Sequence, residues 1–239
     1  MGKTERNDIE KYFEWWLDDC IMYGLVEKWD RECESFTLFP QYKAYRTKYF
    51  KTKLPEKELY SVLQNTVYTY DYRIVWNEKA KYVLFNPSDW TEKTNPPVLH
   101  YDDTFFHAHE DLSFSGKYVS YVDVKPPALS SRKNSNNTSF YTFPFCQKIL
   151  LWNYGIYINK VIPIPMKNSG VGMALFTNTF IPKRYFLTDG GTMNRKINFK
   201  IQTVDKWYKQ RVNFLNRTEN MVKSIKEKKT QQENLFDGK

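Results

Sequence analysis

The first part of the chain has the periodicity of an amphipathic helix. Between Asp8 and Val26, apolar side chains recur at steps of three and four residues, and Gly24 stands near the end of the pattern. The apolar stripe consists of Ile9, Phe13, Trp16, Leu17, Cys20 and Ile21. Because such a stripe faces a core, the pattern predicts a helix over residues 8–26, with Glu10 and Glu14 one turn apart on it.

A β-branched and aromatic run predicts a strand that ends abruptly. The run from Tyr118 to Val122 continues as Asp123-Val124-Lys125 and is halted by two prolines. Since side chains alternate between the faces of a strand, Asp123 and Lys125 project to one side near its C-terminal end. Val122 and Val124 point the other way, into apolar packing.

Further runs complete the pattern of an α/β protein. The predicted strands are Ser35–Phe39, Thr66–Trp76, Glu78–Asn86, Ile156–Pro163, Tyr185–Thr188 and Ile197–Thr203. A helix from Phe143 to Tyr154, with Gly155 at its end, lies between the strand of Asp123 and the strand Ile156–Pro163. Strand, helix and strand at this separation predict a parallel pair joined by a crossover.

The chain is predicted to form one domain with an appendage. Residues 1–204 form the domain, and a polar, proline-containing insertion interrupts it at about residues 87–100. Residues 205–239 form a helix that becomes strongly basic and ends in a charged tail.

Composition restricts the partners and the compartment. A formal charge of +9 and a pI near 9.2 favour a polyanionic partner, most simply nucleic acid. The three cysteines are far apart and have no paired spacing, which argues against a disulfide framework and a zinc module. No stretch approaches the roughly 20 apolar residues of a membrane span. We therefore expect a soluble, intracellular protein with no membrane partner.

Charged residues within the predicted strands are the candidate site. An acid two residues before a lysine is common in surface ion pairs, but Asp123 and Lys125 stand at a strand end, where the acid can hold a cation. Asp71 interrupts the apolar run Thr66–Trp76, where a carboxylate is costly unless paired or bound to a cation. Asp71 is therefore the best partner for Asp123, and Asp103 is the alternative.

A histidine-based site competes with this carboxylate site. His107 and His109 alternate on one face of a predicted strand, and Asp102 and Asp103 precede them. Such a set could ligate a transition metal. A packed or hydrogen-bonded role for both histidines is the other interpretation.

The order of these motifs resembles the PD-(D/E)XK nuclease superfamily, especially its phage-encoded endonucleases and Holliday junction resolvase-like members. The resemblance covers about residues 8–163: Glu10 on the first helix, Asp71 in Tyr-Thr-Tyr-Asp-Tyr, Asp123-Val-Lys125, and Gln147-Lys148 on the next helix. It implies a restriction-endonuclease-like core, a central mixed sheet flanked by helices, and a Mg²⁺ or Mn²⁺ cofactor.

The resemblance also implies the roles of the site residues. Asp71 and Asp123 would ligate the metal, and Lys125 would orient the attacking water or stabilise charge. Glu10 would assist the metal or the water, with Glu14 as its alternative, and Gln147 would hold the site or contact substrate.

Basic residues in three segments are the candidate DNA contacts. These are Lys43, Arg46 and Lys48 in a tyrosine-rich segment, Arg132 and Lys133 in a Ser- and Asn-rich loop, and Lys148 beside Gln147.

The sequence thus predicts a metal-dependent endonuclease that hydrolyses phosphodiester bonds in DNA, such as branched or phage replication DNA. The alternative is a non-catalytic nucleic-acid-binding or phage assembly protein with the same fold. A phage origin and a bacterial cytoplasm are the expected context. Cutting both strands would call for a homodimer.

Overall fold

The computed structural model describes residues 8–32, 34–87, 106–111, 116–125, 139–163, 173–188, 203–218 and 220. The helices are α1 (Asp8–Met22), α2 (Ser139–Tyr154), α3 (Leu175–Asn178), α4 (Lys183–Thr188) and α5 (residues 204–218). The strands are β1 (Val26–Arg31), β2 (Ser35–Phe39), β3 (Tyr42–Lys48), β4 (Glu56–Leu63), β5 (Thr66–Thr69), β6 (Tyr72–Trp76), β7 (Phe85–Pro87), β8 (Phe106–Glu110), β9 (Tyr118–Val124), β10 (Ile158–Ile162) and β11 (Met173–Ala174). A 3₁₀ turn spans Glu78–Ala80.

A mixed sheet forms the centre of the fold, with strand order β1-β6-β9-β10-β11. β6 pairs antiparallel with both β1 and β9, whereas β10 pairs parallel with both β9 and β11. α2 connects β9 to β10, so the parallel pair predicted from the strand-helix-strand pattern is confirmed. β8 pairs with the first residues of β9 and with β7.

Helices cover both faces of this sheet. Val122 and Val124 of β9 lie in the larger core cluster, together with residues of α1. Tyr121, on the alternate face, packs in a smaller cluster with residues of α2. Asp123 shares the parity of Tyr121 and therefore faces the α2 side. The fold is mixed α/β with a mixed central sheet between helices.

Two further pairs of strands extend the hairpin formed by β1 and β6. β2 pairs with β5, and β3 pairs with β4, each antiparallel. The three pairs are nested in sequence, so residues 32 and 34–71 form one interrupted antiparallel excursion, which we call the arm. It leaves the central sheet between Arg31 and Tyr72, which are partners in register.

Several predicted elements differ in detail. The first helix ends at Met22, since the left-handed Gly24 (φ 76°) and a hydrogen bond from Leu25 N–H to the Cys20 carbonyl close its last turn. The prediction of one continuous strand over Thr66–Trp76 was wrong. The run divides at Tyr70 and Asp71, because β5 pairs within the arm and β6 within the central sheet.

Two other strand predictions were wrong. Most of Glu78–Asn86 is a 3₁₀ turn and a loop, and only its end joins β7. Tyr185–Thr188 belongs to α4, in which Tyr185 is fully buried against α1. Short apolar runs do not distinguish a strand from a buried helical turn. The predicted strand Ile197–Thr203 and the insertion at 87–100 lie almost entirely outside the described residues.

The predicted C-terminal helix is observed as α5, and its first turns pack on the main core. Trp207 is buried in the larger cluster, and its indole N–H donates to the Asn178 carbonyl at 3.3 Å. Tyr23 donates a hydrogen bond to Asp205 at 3.0 Å. No helix in the described part of the chain is long and apolar enough to cross a membrane.

Candidate active site

The end of β9 carries the first part of the site. Asp123 is only 3% exposed, and its Oδ1 lies 2.5 Å from Lys125 Nζ. The predicted alternation is therefore confirmed, since both side chains project to one face while Val122 and Val124 pack in the core. Among the described residues, Asp123 Oδ1 accepts no hydrogen bond with good geometry, so this ion pair leaves it acceptor capacity.

Asp71 reaches the same point from the break between β5 and β6. Its backbone N–H donates to the Val122 carbonyl at 3.1 Å, and its Oδ2 accepts from the Val124 N–H at 2.7 Å. These two bonds fix Asp71 against β9 on either side of Asp123. The two acids that the sequence proposed as partners are thus neighbours.

The surroundings of Asp71 disfavour its ionised form. Burial, the negative charge of Asp123 and a hydrogen bond between the two side chains raise the pKa of Asp71 to about 8. Two carboxylates in one buried site cannot both ionise without a compensating charge. The Lys125 ammonium group beside Asp123 supplies part of that compensating charge.

No family model, curated protein or solved structure matches the chain.

Three further side chains complete the site, and the sequence had not singled them out. Tyr68 of β5 donates its hydroxyl to Asp123 Oδ2 at 2.6 Å. Lys160 of β10 lies opposite Asp123 in register, and burial and the charge of Lys125 lower its pKa. Burial and the nearby negative charge of Asp123 raise the pKa of the Cys146 thiol on α2.

One of these residues carried a usable signal. Lys160 is the one charged residue in the strand Ile158–Ile162, as Asp71 is the one carboxylate in its own run. Tyr68 carried no such signal, because tyrosine is common in strands and only the fold of the arm directs its hydroxyl to Asp123.

Gln147 and Glu10 have structural partners. The Gln147 amide donates to the Ile158 carbonyl at 2.6 Å and so ties α2 to β10 beside the site. Glu10 pairs with Arg31 of β1 at 2.8 Å, next to the point where the arm begins. Glu14 is buried on α1 and accepts from the Tyr72 hydroxyl at 3.1 Å.

The histidines of β8 take part in packing. His109 Nε2 accepts the Tyr157 N–H at 2.8 Å, and burial lowers the His109 pKa to about 4. The His107 ring packs edge-on against Tyr157, with the ring centroids 4.7 Å apart. Asp102 and Asp103, the other proposed ligands, lie outside the described residues. No group of three or more His, Cys, Asp or Glu side chains converges within the described part of the chain.

The candidate DNA contacts lie on different surfaces. Lys43 is exposed on β3, whereas Arg46 and Lys48 both approach Glu58 of β4. Lys148 is exposed on the outer side of α2. Arg132 and Lys133 lie outside the described residues.

Two acids and a half-buried tyrosine therefore meet close to two lysines where the arm leaves the central sheet. The carboxylates are hard oxygen ligands of the kind that Mg²⁺ and Mn²⁺ prefer. The lysines supply positive charge at the same point. Such a set can hold a cation and attract a phosphate.

Proposed function

We propose that the chain is a metal-dependent endonuclease that hydrolyses phosphodiester bonds in DNA, with Mg²⁺ or Mn²⁺ as cofactor. The observation that carries this proposal is the contact between Asp71 and Asp123, with Lys125 Nζ 2.5 Å from Asp123. The charge of Asp123 helps to raise the pKa of Asp71, which makes this arrangement costly to fold, and groups perturbed in this way concentrate at functional sites.

The architecture supports the same proposal. A mixed sheet flanked by α1 and α2 carries Asp123 at the end of β9 and Asp71 directly before β6. This arrangement is consistent with a restriction-endonuclease-like core. The net charge of +9 is suited to a polyanionic substrate.

The donor set suits a divalent cation. Asp71 and Asp123 would hold it, because Asp123 Oδ1 keeps acceptor capacity and a positive charge would relieve the repulsion between the acids. A bound Mg²⁺ would lower the pKa of an attached water and shield the charge that grows on the phosphate.

The other side chains have distinct tasks in this proposal. Lys125 balances the charge of Asp123 and presents an ammonium group to the phosphate. Tyr68 fixes the orientation of Asp123 through its hydroxyl, and Lys160 adds positive potential from the neighbouring strand. Gln147 maintains the spacing between α2 and β10.

Cleavage of supercoiled plasmid with and without Mg²⁺ or Mn²⁺ tests the proposal. We expect Asp71→Asn and Asp123→Asn each to slow cleavage at least about a hundredfold, since each removes a metal ligand worth several kcal/mol of transition-state stabilisation. Binding of DNA in EDTA should persist. Asp18→Asn, an exposed acid on α1, is the matched control and should cleave as the wild type does.

The possible results separate the two functions. Equal cleavage by wild type and Asp123→Asn would remove Asp123 from the mechanism. If the wild type binds DNA but never cleaves it with either metal, the nuclease proposal fails and the non-catalytic binding protein is the better description.

A further inference from the structure

The outer part of the arm is a two-stranded ribbon, formed by β3 and β4 and the turn between them, residues 42–63. None of its residues is buried, and the structure describes all of them. An isolated two-stranded ribbon is marginally stable in water. Yet this one exposes Tyr45 to 75% and Leu59 to 55%. Apolar side chains presented on so thin an element favour a surface that binds a partner.

The two faces of the ribbon differ in charge. On one face, Arg46 and Lys48 approach Glu58, and the Arg46 guanidinium also lies over the Tyr60 ring, 4.2 Å from its centroid. The guanidinium hydrogen bond holds the Glu58 pKa below its ordinary value. Ion pairs with Glu58 therefore partly neutralise the positive charge of this face within the ribbon.

The opposite face is basic and lacks a carboxylate. The register pairs Lys43 with Ser61, Tyr45 with Leu59 and Thr47 with Lys57, so these six residues form what we call the basic face. Lys43 and Lys57 make no ion pair with any described residue. Lys51 and Lys53 in the turn are exposed as well. The six lysines and arginines and two glutamates of residues 42–63 leave a net charge of +4.

We propose that the basic face of the ribbon binds double-stranded DNA by lying in its major groove. A two-stranded β-ribbon fits that groove, which is about 12 Å wide. Lys43 and Lys57 contact phosphates on the groove walls, while Tyr45 and Leu59 approach the bases and sugars. This inference rests on the proposed function for the identity of the polyanion.

The inner part of the arm connects the ribbon to the acid pair. Tyr68 of β5 contacts Asp123, and β5 continues through Gln64 and Asn65 into β4. At about 3.3 Å per residue of extended chain, Ser61, the register partner of Lys43, lies at most about 23 Å from Tyr68, and Lys57 lies at most about 36 Å from it. One turn of B-DNA spans about 34 Å. The ribbon therefore contacts duplex up to about one helical turn from the phosphate at Asp123.

Binding of a labelled duplex of about 30 base pairs in EDTA tests this inference without any cleavage. We expect Lys43→Gln/Lys57→Gln to weaken binding on the order of tenfold, and to reduce the slope of log K against log salt by about 2. The matched control is Lys11→Gln/Lys28→Gln, which removes the same charge from α1 and β1 and should change the affinity less than twofold.

Three results would overturn the inference. The first is an equal loss of duplex affinity in both double variants, and the second is a loss of affinity for single-stranded DNA alone. The third is a change only in self-association, measured by sedimentation, which would assign the basic face to a second copy of the chain. The binding assay needs no metal, so its result still tests the ribbon if the wild type turns out not to cleave DNA. Normal cleavage together with unchanged binding by Lys43→Gln/Lys57→Gln would overturn the ribbon assignment alone.

Discussion

Charge at buried and half-buried positions marks the site at the scale of single residues. Asp71, Asp123 and Lys160 are each at least partly withdrawn from water, which is costly for an isolated charge. They lie near one another, so that each acid or ammonium offsets part of the cost of the next. Such groups persist in folded proteins when they are paired or when function requires them.

Tyr68 provides a test of positioning at this site. We expect Tyr68→Phe to lower the cleavage rate roughly tenfold, because a hydrogen bond to a charged group is worth about 1.5–3 kcal/mol and here it orients Asp123. Tyr60→Phe removes an equivalent hydroxyl from an exposed position on the same arm and is the control. Duplex affinity in EDTA should be unchanged in both variants. A Tyr68→Phe rate equal to that of Tyr60→Phe would exclude the positioning role.

His109 should make stability depend on pH. Its pKa of about 4 in the folded protein lies below the ordinary value of about 6.5, because burial disfavours the charged form and His107 lies nearby. The unfolded chain therefore binds more protons between these two values, and stability rises as pH increases through that window. A difference of about 2.5 in pKa corresponds to roughly 3 kcal/mol.

Urea unfolding at about pH 4.5, 5.5 and 7 measures this contribution. Since Gln can present an acceptor to the Tyr157 N–H without titrating, we expect His109→Gln to flatten the rise in stability between these pH values by about 2 kcal/mol. A difference in the free energy of unfolding that is the same at every pH would not affect this test, which compares only the pH dependence. A rise as steep as that of the wild type would exclude His109 as the titrating group.

At the scale of elements, one buried amide joins three strands. The Oδ1 atom of Asn159 on β10 accepts a hydrogen bond from the backbone N–H of His107 on β8 at 2.8 Å. Its Nδ2 group donates to the backbone carbonyls of His107 and Tyr121 at 2.9 and 3.0 Å. β8 and β10 both lie against β9, one along its first residues and the other along its last. The side chain of Asn159 therefore bridges β8 and β10 where the two strands come together beside β9.

Replacing Asn159 should therefore destabilise the sheet. We expect Asn159→Leu to lower the free energy of unfolding by at least about 2 kcal/mol, because buried donors and acceptors lose their partner. Asn153→Leu, on the exposed side of α2, should change it by less than about 0.5 kcal/mol. Equal values for the two variants in chemical denaturation would contradict the bridging role.

The same scale explains which elements could be predicted. α1 and β9 have strong local periodicity; β9 lies close to its predicted bounds, and α1 begins at the predicted residue but ends at Met22 instead of Val26. The ribbon had no such pattern, since none of its residues is buried and apolar alternation arises from burial of one face. The run Thr66–Trp76 has strand-forming residues throughout, so its sequence gives no sign of a break. It divides because β5 pairs with β2 in the arm, whereas β6 pairs with β1 and β9 in the central sheet.

At the scale of the whole molecule, the acid pair and the arm lie at one end of the central sheet. The arm begins after Arg31 and returns at Tyr72, directly beside Asp71. Its inner strands pack on α2, where the Tyr154 hydroxyl donates to the Thr37 carbonyl at 2.7 Å. A substrate held by the ribbon would therefore lie along the arm towards Asp123.

The sequence by itself determined the faces of individual elements. Alternation placed Asp123 and Lys125 on one side of β9, and a charge within an apolar run identified Asp71, because both properties depend only on neighbours along the chain. Tertiary structure decided which segments meet. Antiparallel pairing of β6 with β9 made Asp71 and Asp123 neighbours, and the nested pairs of the arm brought in Tyr68. Pairing between distant strands depends on the free energy of the whole fold, which local residue patterns do not specify.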